Sequence, residues 1–235
     1  MTVDLNCDLG ELEDAAREAA LMEHITSANI ACGGHAGDDA TMQRTVRLAL
    51  ARGVRVGAHP GYPDRVHFGR VAMPLTADEV KATVREQIER LERVVRAEGA
   101  AIVHVKPHGA MYNVAARDRE VAGAIGAAVR EWNPTAIVFG LAGSDSLAVW
   151  SGMGLEVMAE GFADRRYEPD GSLRARSYPD ALITDPEAAA AQAVALVRSG
   201  RAQTVCVHGD TPGAPAILRA CREALAREDD YLSRP

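Results

Sequence analysis

Seven short apolar runs recur along the chain, and most are followed by a stretch with helical periodicity. They are VDLNC (3–7), ANIAC (28–32), VRVGA (54–58), AIVHV (101–105), AIVFG (136–140), LEVMA (155–159) and TVCVH (204–208). Runs this short, bounded by glycine, proline and polar residues, read as buried strands. The segments between them read as helices. Thr76 and Glu79 have capping-box spacing and precede Val80, Val84, Ile88, Leu91 and Val95, which fall on one helical face. Val121, Ile125, Val129 and Trp132 make a second face, and Leu218, Cys221 and Leu225 mark a terminal helix. Asp185-Pro186 reads as an N-cap with proline in the first helical position, so the alanine-rich tract at 188–195 is helix and not linker. Strands alternating with helices imply a parallel sheet with crossover connections. No long linker or low-complexity segment divides the 235 residues, so one domain over 1–235 is expected.

Such units can stay open as a doubly wound sheet or close into a barrel. An open nucleotide-binding sheet carries a glycine-rich phosphate turn after its first strand. Here the first strand leads into Asp8-Leu9-Gly10-Glu11, which is not one. A barrel instead gathers polar residues from the ends of many strands on one rim. Asn6 and Asp8 end the first strand, His35 and His59 follow the second and third, and Lys106 and His108 follow the fourth. Glu160 follows the sixth strand, and His208 and Asp210 the last. The expected fold is α/β, a single-domain and irregular (β/α) barrel of seven to eight parallel strands.

Period-two alternation sorts these side chains. If Asp8 faces the axis, so does Asn6, and Cys7 faces the helices. His104, Lys106 and His108 share one side, as do His208 and Asp210, with Val205 and Val207 opposite. Lysine is scarce: Lys81 and Lys106 are the only two. One histidine after a strand is commonly a loop or capping residue, and Lys106 alone could be a rim ion pair. The recurrence of carboxylates, imidazoles and an amine at one end of many strands points instead to proton transfer and charge stabilisation. An aspartate with two histidines, here Asp8, His35 and His59, would also suit a divalent metal. Arg70 in FGR and Arg165 in FADRRY could hold a carboxylate or phosphate. No H-E-x-x-H helix, cysteine cluster or G-x-x-x-x-G-K-[ST] loop is present.

A net charge of -7 argues against a nucleic-acid partner. The opening MTVDLNCDLGE lacks the pattern of a signal peptide, and no run of about 18 apolar residues suggests a membrane span. The four cysteines are widely spaced, as expected of reduced thiols in a cytoplasmic protein.

DLNCDLGE, ANIACGGHAGD, GAHPGYPD with FGR, VKPHGAMYN, EGFADRRY and VHGDTP occur here in one series. In that order they resemble the LamB/YcsF family, that of the A subunits of 5-oxoprolinase, from residue 3 to about residue 215. The resemblance implies a barrel similar to carbohydrate deacetylases. It also implies ATP-dependent opening of the 5-oxoproline lactam to L-glutamate, with ATP and its magnesium as cosubstrate and subunits B and C as partners. Matching positions carry over as Asn6, Asp8, His35, Asp38, His59, Arg70, Lys106, His108, Asn113, Glu160, Asp164, Arg165, His208 and Asp210. Of these, Asp8, His59, Lys106, His108, His208 and Asp210 are expected to be catalytic and the others to bind substrate. Lys106 and Arg165 would meet phosphate or carboxylate charge, and Asp8 or Asp210 would orient an imidazole or water. Gly34 departs from the family pattern, where an aromatic residue is usual. Two other readings are a stand-alone metal-dependent amide hydrolase and a non-catalytic subunit that binds the lactam.

Overall fold

The computed structural model describes residues 3–12 and 14–232, with side chains described through residue 228. Seven strands form the wall: β1 (Asp4–Leu9), β2 (Ser27–Ala31), β3 (Arg55–His59), β4 (His104–Val105), β5 (Ile137–Leu141), β6 (Glu156–Phe162) and β7 (Thr204–His208). Each pairs in parallel with the next, and β7 returns to β1 with Asp4 opposite Thr204 and Asp8 opposite His208. The result is a closed seven-stranded barrel. Closure removes every sheet edge and fixes which side chains face the axis.

Helices α1 (Ala15–Met22), α2 (Asp39–Ala51), α3 (Ala77–Ala97), α4 (Gly109–Ala115), α5 (Arg119–Trp132), α6 (Asp145–Gly152), α7 (Pro186–Arg198) and α8 (Ala214–Leu232) lie between and after the strands. The sequence explains the strongest of them. Thr76 and Glu79 form the capping box of α3, worth about 1 kcal/mol. Its Val80, Val84, Ile88, Leu91 and Val95 are fully buried, each contributing roughly 1.5–3 kcal/mol. Asp185 caps α7 by accepting from the Ala188 N–H at 2.8 Å. Leu218, Cys221 and Leu225 of α8 are buried as the pattern requires. In α5 the buried face is rotated: Ala122, Ile125, Ala128 and Val129 are fully buried, while Val121 and Trp132 are only half-buried. Small alanines let this helix lie close to its neighbours, so bulk at 121 and 132 stays at the margin.

Two strands differ in length from the expectation. β4 has two residues, His104 and Val105, preceded by buried Ile102 and by Val103, which is 37% exposed. β1 continues through Leu9, so Asp8 sits inside the strand and not after it. Among the described residues, no helix is long and apolar enough to cross a membrane.

The interior of a (β/α) barrel is normally filled by branched apolar residues. Here β1 and β2 contribute Asp4, Asn6, Asp8, Ser27 and Asn29, all at most 4% exposed. Buried polar groups cost several kcal/mol unless they are paired. At the floor, Asp4 accepts from Thr26 (2.5 Å), Ser27 (2.7 Å), Thr204 (2.6 Å) and Arg55 (2.5 Å). Above it, Asn6 donates to Thr204 Oγ1 at 2.7 Å and to Glu160 at 3.0 Å. Asn29 donates to Asn6 at 2.7 Å and to Asp8 at 2.8 Å. Its Oδ1 accepts from His104 Nε2 at 2.8 Å, and that imidazole stacks on Phe139 with centroids 4.2 Å apart.

His104 has its place because Gly57, on the neighbouring strand, has no side chain. A Cβ there would lie 2.0 Å from His104 Nε2. Gly34 has a similar reason: a Cβ would lie 2.4 Å from Gln87 Oε1, so Gln87 occupies the space beside this position.

Gly57→Ala is expected to cost about 1–3 kcal/mol by overpacking. The double variant with His104→Ala should be less destabilised than the sum of the two single changes, read from denaturant melts; strict additivity would refute the steric account. Burial, aided by the nearby Arg55, Lys106 and His59 charges, pushes the His104 imidazole down to about 3. Its folded-state value therefore lies below the unfolded value of about 6.5. The unfolded chain binds more protons between these limits, so this contribution is full above about 6.5 and fades as pH falls toward about 3, by roughly 1 kcal/mol per unit. Melts of His104→Asn across that window should show a correspondingly shallower acid slope than wild type.

Candidate active site

The C-terminal ends of the strands open into a cavity of about 590 Å³. Asp8, His59, Lys106, His108 and His208 line its inner part, and Arg70, Asn113, Arg165 and Arg176 line the outer part. The strand-end groups expected from the sequence thus share this cavity or its wall, since Asn6 and Glu160 are fully buried directly behind Asp8 and Lys106.

Lys106 is the centre of the inner part. Its ammonium lies 2.9 Å from Asp8 Oδ1, 2.9 Å from Glu160 Oε1 and 3.1 Å from Cys206 Sγ. Burial alone would lower its proton affinity; Asp8, Cys206 and Glu160 outweigh that and hold it well above the usual lysine value. Burial would likewise raise Asp8, but His59 and Lys106 hold it well below the usual carboxylate range. Tyr112 donates to the other Glu160 oxygen at 2.7 Å. An ammonium has three donors, and these three contacts engage them. This revises the expectation that Lys106 meets a ligand's anionic group directly. It fixes Asp8 and Glu160 and acts on the cavity through its charge.

Beside this triad, three imidazoles and a carboxylate meet. His59 Nδ1 is 2.7 Å from the Lys106 carbonyl, and its Nε2 is 2.9 Å from His108 Nδ1 and 3.4 Å from Asp8 Oδ2. His108 Nε2 is 2.9 Å from the Phe68 carbonyl. Carbonyls only accept, so His59 Nδ1 and His108 Nε2 both carry hydrogens. The ring nitrogens that face each other then need one further proton, which gives the pair a single positive charge. Burial would lower His59, and Asp8 more than compensates, so its value is raised. His35 stacks on His108 with centroids 3.5 Å apart. Glu11 Oε1 joins all three rings, 3.0 Å from His35, 3.3 Å from His108 and 3.7 Å from His59.

The FGR turn shapes this cluster. Phe68 has φ of 55°, a left-handed conformation that is strained for an aromatic residue. That conformation aims its carbonyl at His108. Gly69 has φ of 63°, and a Cβ there would come within 2.8 Å of His35 Cβ.

His208 stands apart, held by Asp164. The carboxylate oxygens are each 3.1 Å from His208 Nδ1, one of them accepts the His208 N–H at 3.0 Å, and Thr211 donates at 2.5 Å. This fixes the Nδ1–H form of the ring and leaves Nε2 with its lone pair. Asp164 is fully buried and positions His208 from behind.

On the outer side, Asp210 pairs with Arg70 and lies 3.2 Å from Arg176. This corrects the expectation that Asp210 orients an imidazole or water: its partners are guanidinium groups. Arg165 donates to the Arg174 carbonyl at 2.6 Å, while its Nε is buried without a partner. Burial, then repulsion from Arg176, push its guanidinium down to about 10. Asp38 is also corrected. It is exposed and caps α2 through the Thr41 N–H at 2.7 Å, away from the cavity. The metal trio of Asp8, His35 and His59 is replaced by two other convergent sets, Glu11 with His35, His59 and His108, and Asp8 with Cys206 and His208. Glu11, Cys206, Tyr112 and Arg176 join the site without having been expected there. All four cysteines are buried and unpaired, Cys7 among the side chains between wall and helices.

The LamB/YcsF family model matches residues 3–234. A protein from Chloroflexus aurantiacus, named as the A subunit of 5-oxoprolinase, is 47% identical over 250 residues, covering 100% of this chain and 99% of its own. One of the same name from Methylococcus capsulatus is 48% identical over 240 residues, covering 96% and 92%. Among solved structures, the lactam utilization protein from Thermus thermophilus is 42% identical, with a TM-score of 0.88 and coverage of 97% of this chain and 98% of that one. The barrel, the polar strand ends and these whole-length matches agree: the chain belongs to the LamB/YcsF family.

Proposed function

We propose that this chain is the lactam-opening A subunit of a 5-oxoprolinase, converting 5-oxoproline, ATP and two waters into L-glutamate, ADP and phosphate with subunits B and C. The observation that carries the reading is the division of the cavity. Arginines, one with a buried unpartnered Nε, stand on its outer side, and an imidazole and carboxylate cluster stands on its inner side. A small anionic cyclic amide needs both. Its carboxylate needs guanidinium donors, and its amide bond needs groups that move protons.

The Asp164–His208 pair is suited to act as general base on water, since the free Nε2 carries a lone pair in the cavity wall. The His59–His108 pair holds the proton that the departing ring nitrogen requires. Asp8, beside His59 at 3.4 Å, stabilises the charged pair. Arg165 and Arg176 would bind the substrate carboxylate or a phosphoryl group. ATP would supply the phosphoryl group that activates the amide carbon by phosphorylating its oxygen: one water adds to that carbon, the ring nitrogen leaves with its proton to give an acyl phosphate, and the second water releases phosphate. A cavity of about 590 Å³ is roomier than one five-membered ring requires, which suits a second ligand group.

The test is reconstitution of the purified chain with candidate B and C subunits, following glutamate and phosphate together. Equal release of both is expected, and release of neither by a correctly assembled complex would end the reading. In the same assay His208→Ala should lower kcat by roughly 10²–10⁴-fold. If His208→Ala and His108→Ala both ran at full rate, the chain would be a binding subunit only. Arg165→Met should act mainly by raising KM, and whether the KM that rises is for 5-oxoproline or for ATP identifies the group it holds.

A further inference from the structure

The group formed by Glu11, His35, His59 and His108 has a geometry that the lactam reading does not require. Its donor atoms lie within 4.8 Å of one another. Four of the six separations are 2.9 Å for His59–His108, 3.0 Å for Glu11–His35, 3.3 Å for Glu11–His108 and 3.7 Å for Glu11–His59, and the two from His35 to the other rings are within 4.8 Å. A tetrahedral ion with bonds of about 2.0–2.1 Å needs donor atoms about 3.3 Å apart along its edges. Those four separations bracket that value.

The outer face of the group agrees at two of its three rings, whereas His35 Nδ1 is buried with no partner. Metal-bound imidazoles characteristically donate their second N–H to a carbonyl or carboxylate, which fixes the ring and aims the other nitrogen's lone pair at the ion. His59 does this through the Lys106 carbonyl and His108 through the Phe68 carbonyl. The second contact depends on the strained backbone at Phe68, with φ of 55°. Among the described residues, the ion-pair partners of Glu11 are these imidazoles, with no lysine or arginine between them. The other convergent group, Asp8, Cys206 and His208, differs in this respect. The Lys106 ammonium already lies between Asp8 and Cys206 at 2.9 and 3.1 Å, so a cation is in place there.

We infer that Glu11, His35, His59 and His108 bind one divalent metal ion of the zinc type. Three imidazoles and one carboxylate form a nitrogen-rich set that favours zinc, cobalt or iron(II) over magnesium or calcium. The ion takes the place of the proton shared between His59 and His108, so one proton leaves for each ion bound. His59 and His108 line the cavity, which puts the ion beside the space where a carbonyl oxygen or water would sit. The ion and the shared proton exclude each other, so the proton donor of the lactam reading is the ion-free pair; the site itself is measured by binding and not by turnover.

The experiment uses the untagged full chain, stripped with chelator and titrated with Zn(II) and with Co(II). One ion per chain is expected, with release of about one proton. The Co(II) form should show visible ligand-field absorption and no thiolate charge-transfer band. Glu11→Gln and His35→Gln should each weaken binding by at least about 100-fold, beyond the range typical of supporting groups alone. Cys206→Ser should keep the full stoichiometry. Three results would overturn the assignment. One is a wild-type chain that takes up no ion, which leaves a shared proton as the only cation. Another is a thiolate band or loss of the ion in Cys206→Ser, which moves the site to the Asp8 group. The last is undiminished binding in both ligand variants. Stoichiometry, proton release and the Co(II) spectrum are read on wild type, so they decide the question even if a ligand variant fails to fold.

Discussion

A lysine ammonium held between two carboxylates inside a closed strand wall organises this protein. Lys106, Asp8 and Glu160 come from three different strands or their ends and are almost fully buried. Charges so placed are costly unless each finds its counterpart. The compensation extends outward: Asn6 and Asn29 donate to the same Glu160 and Asp8 oxygens that the ammonium meets, Tyr112 takes the other Glu160 oxygen, and Cys206 offers the ammonium a third contact. The barrel is therefore stabilised by apolar packing on its outer face and by an interlocked polar network on its inner face. The first sets the position of the helices, and the second sets the position of the chemistry.

That division explains why the site is rigid where it needs to be. His59 and His108 hang from backbone carbonyls, and His208 hangs from a fully buried aspartate. None of these rings depends on solvent to choose its tautomer. The outer arginines are different. Arg70 and Arg176 share Asp210 and remain partly exposed, so they can exchange that carboxylate for one brought by a ligand. Pre-organised proton carriers and adaptable anion carriers thus occupy separate halves of one cavity.

Much of this was legible from the chain. Apolar runs with helical intervals gave the barrel, and strand alternation placed Asn6, Asp8, His104, Lys106 and His108 facing inward. It worked because a closed parallel wall enforces period two, and beyond β4 the backbone keeps pairing with the β3 end, Lys106 N–H to the Ala58 carbonyl at 2.9 Å and His108 N–H to the Pro60 carbonyl at 2.8 Å. Glu11 escaped because it lies beyond the Gly10 turn, whose φ of 72° breaks the alternation that located its neighbours. Cys206 shares a side with His208, and this signal was present, but a thiol reads as packing. Arg176 sits in the loop between β6 and α7, where no periodicity operates. Asp38 misled in the opposite direction: the family motif carried it over as a substrate-binding residue, whereas its spacing to Thr41 is that of a helix cap.

The floor of the barrel carries its own consequence. Asp4, with its four donors, seals the end opposite the arginines. Among the described residues, the cavity therefore opens at the other end, past Arg70, Arg165 and Arg176. A companion protein that settles over that mouth would govern admission and exit alike.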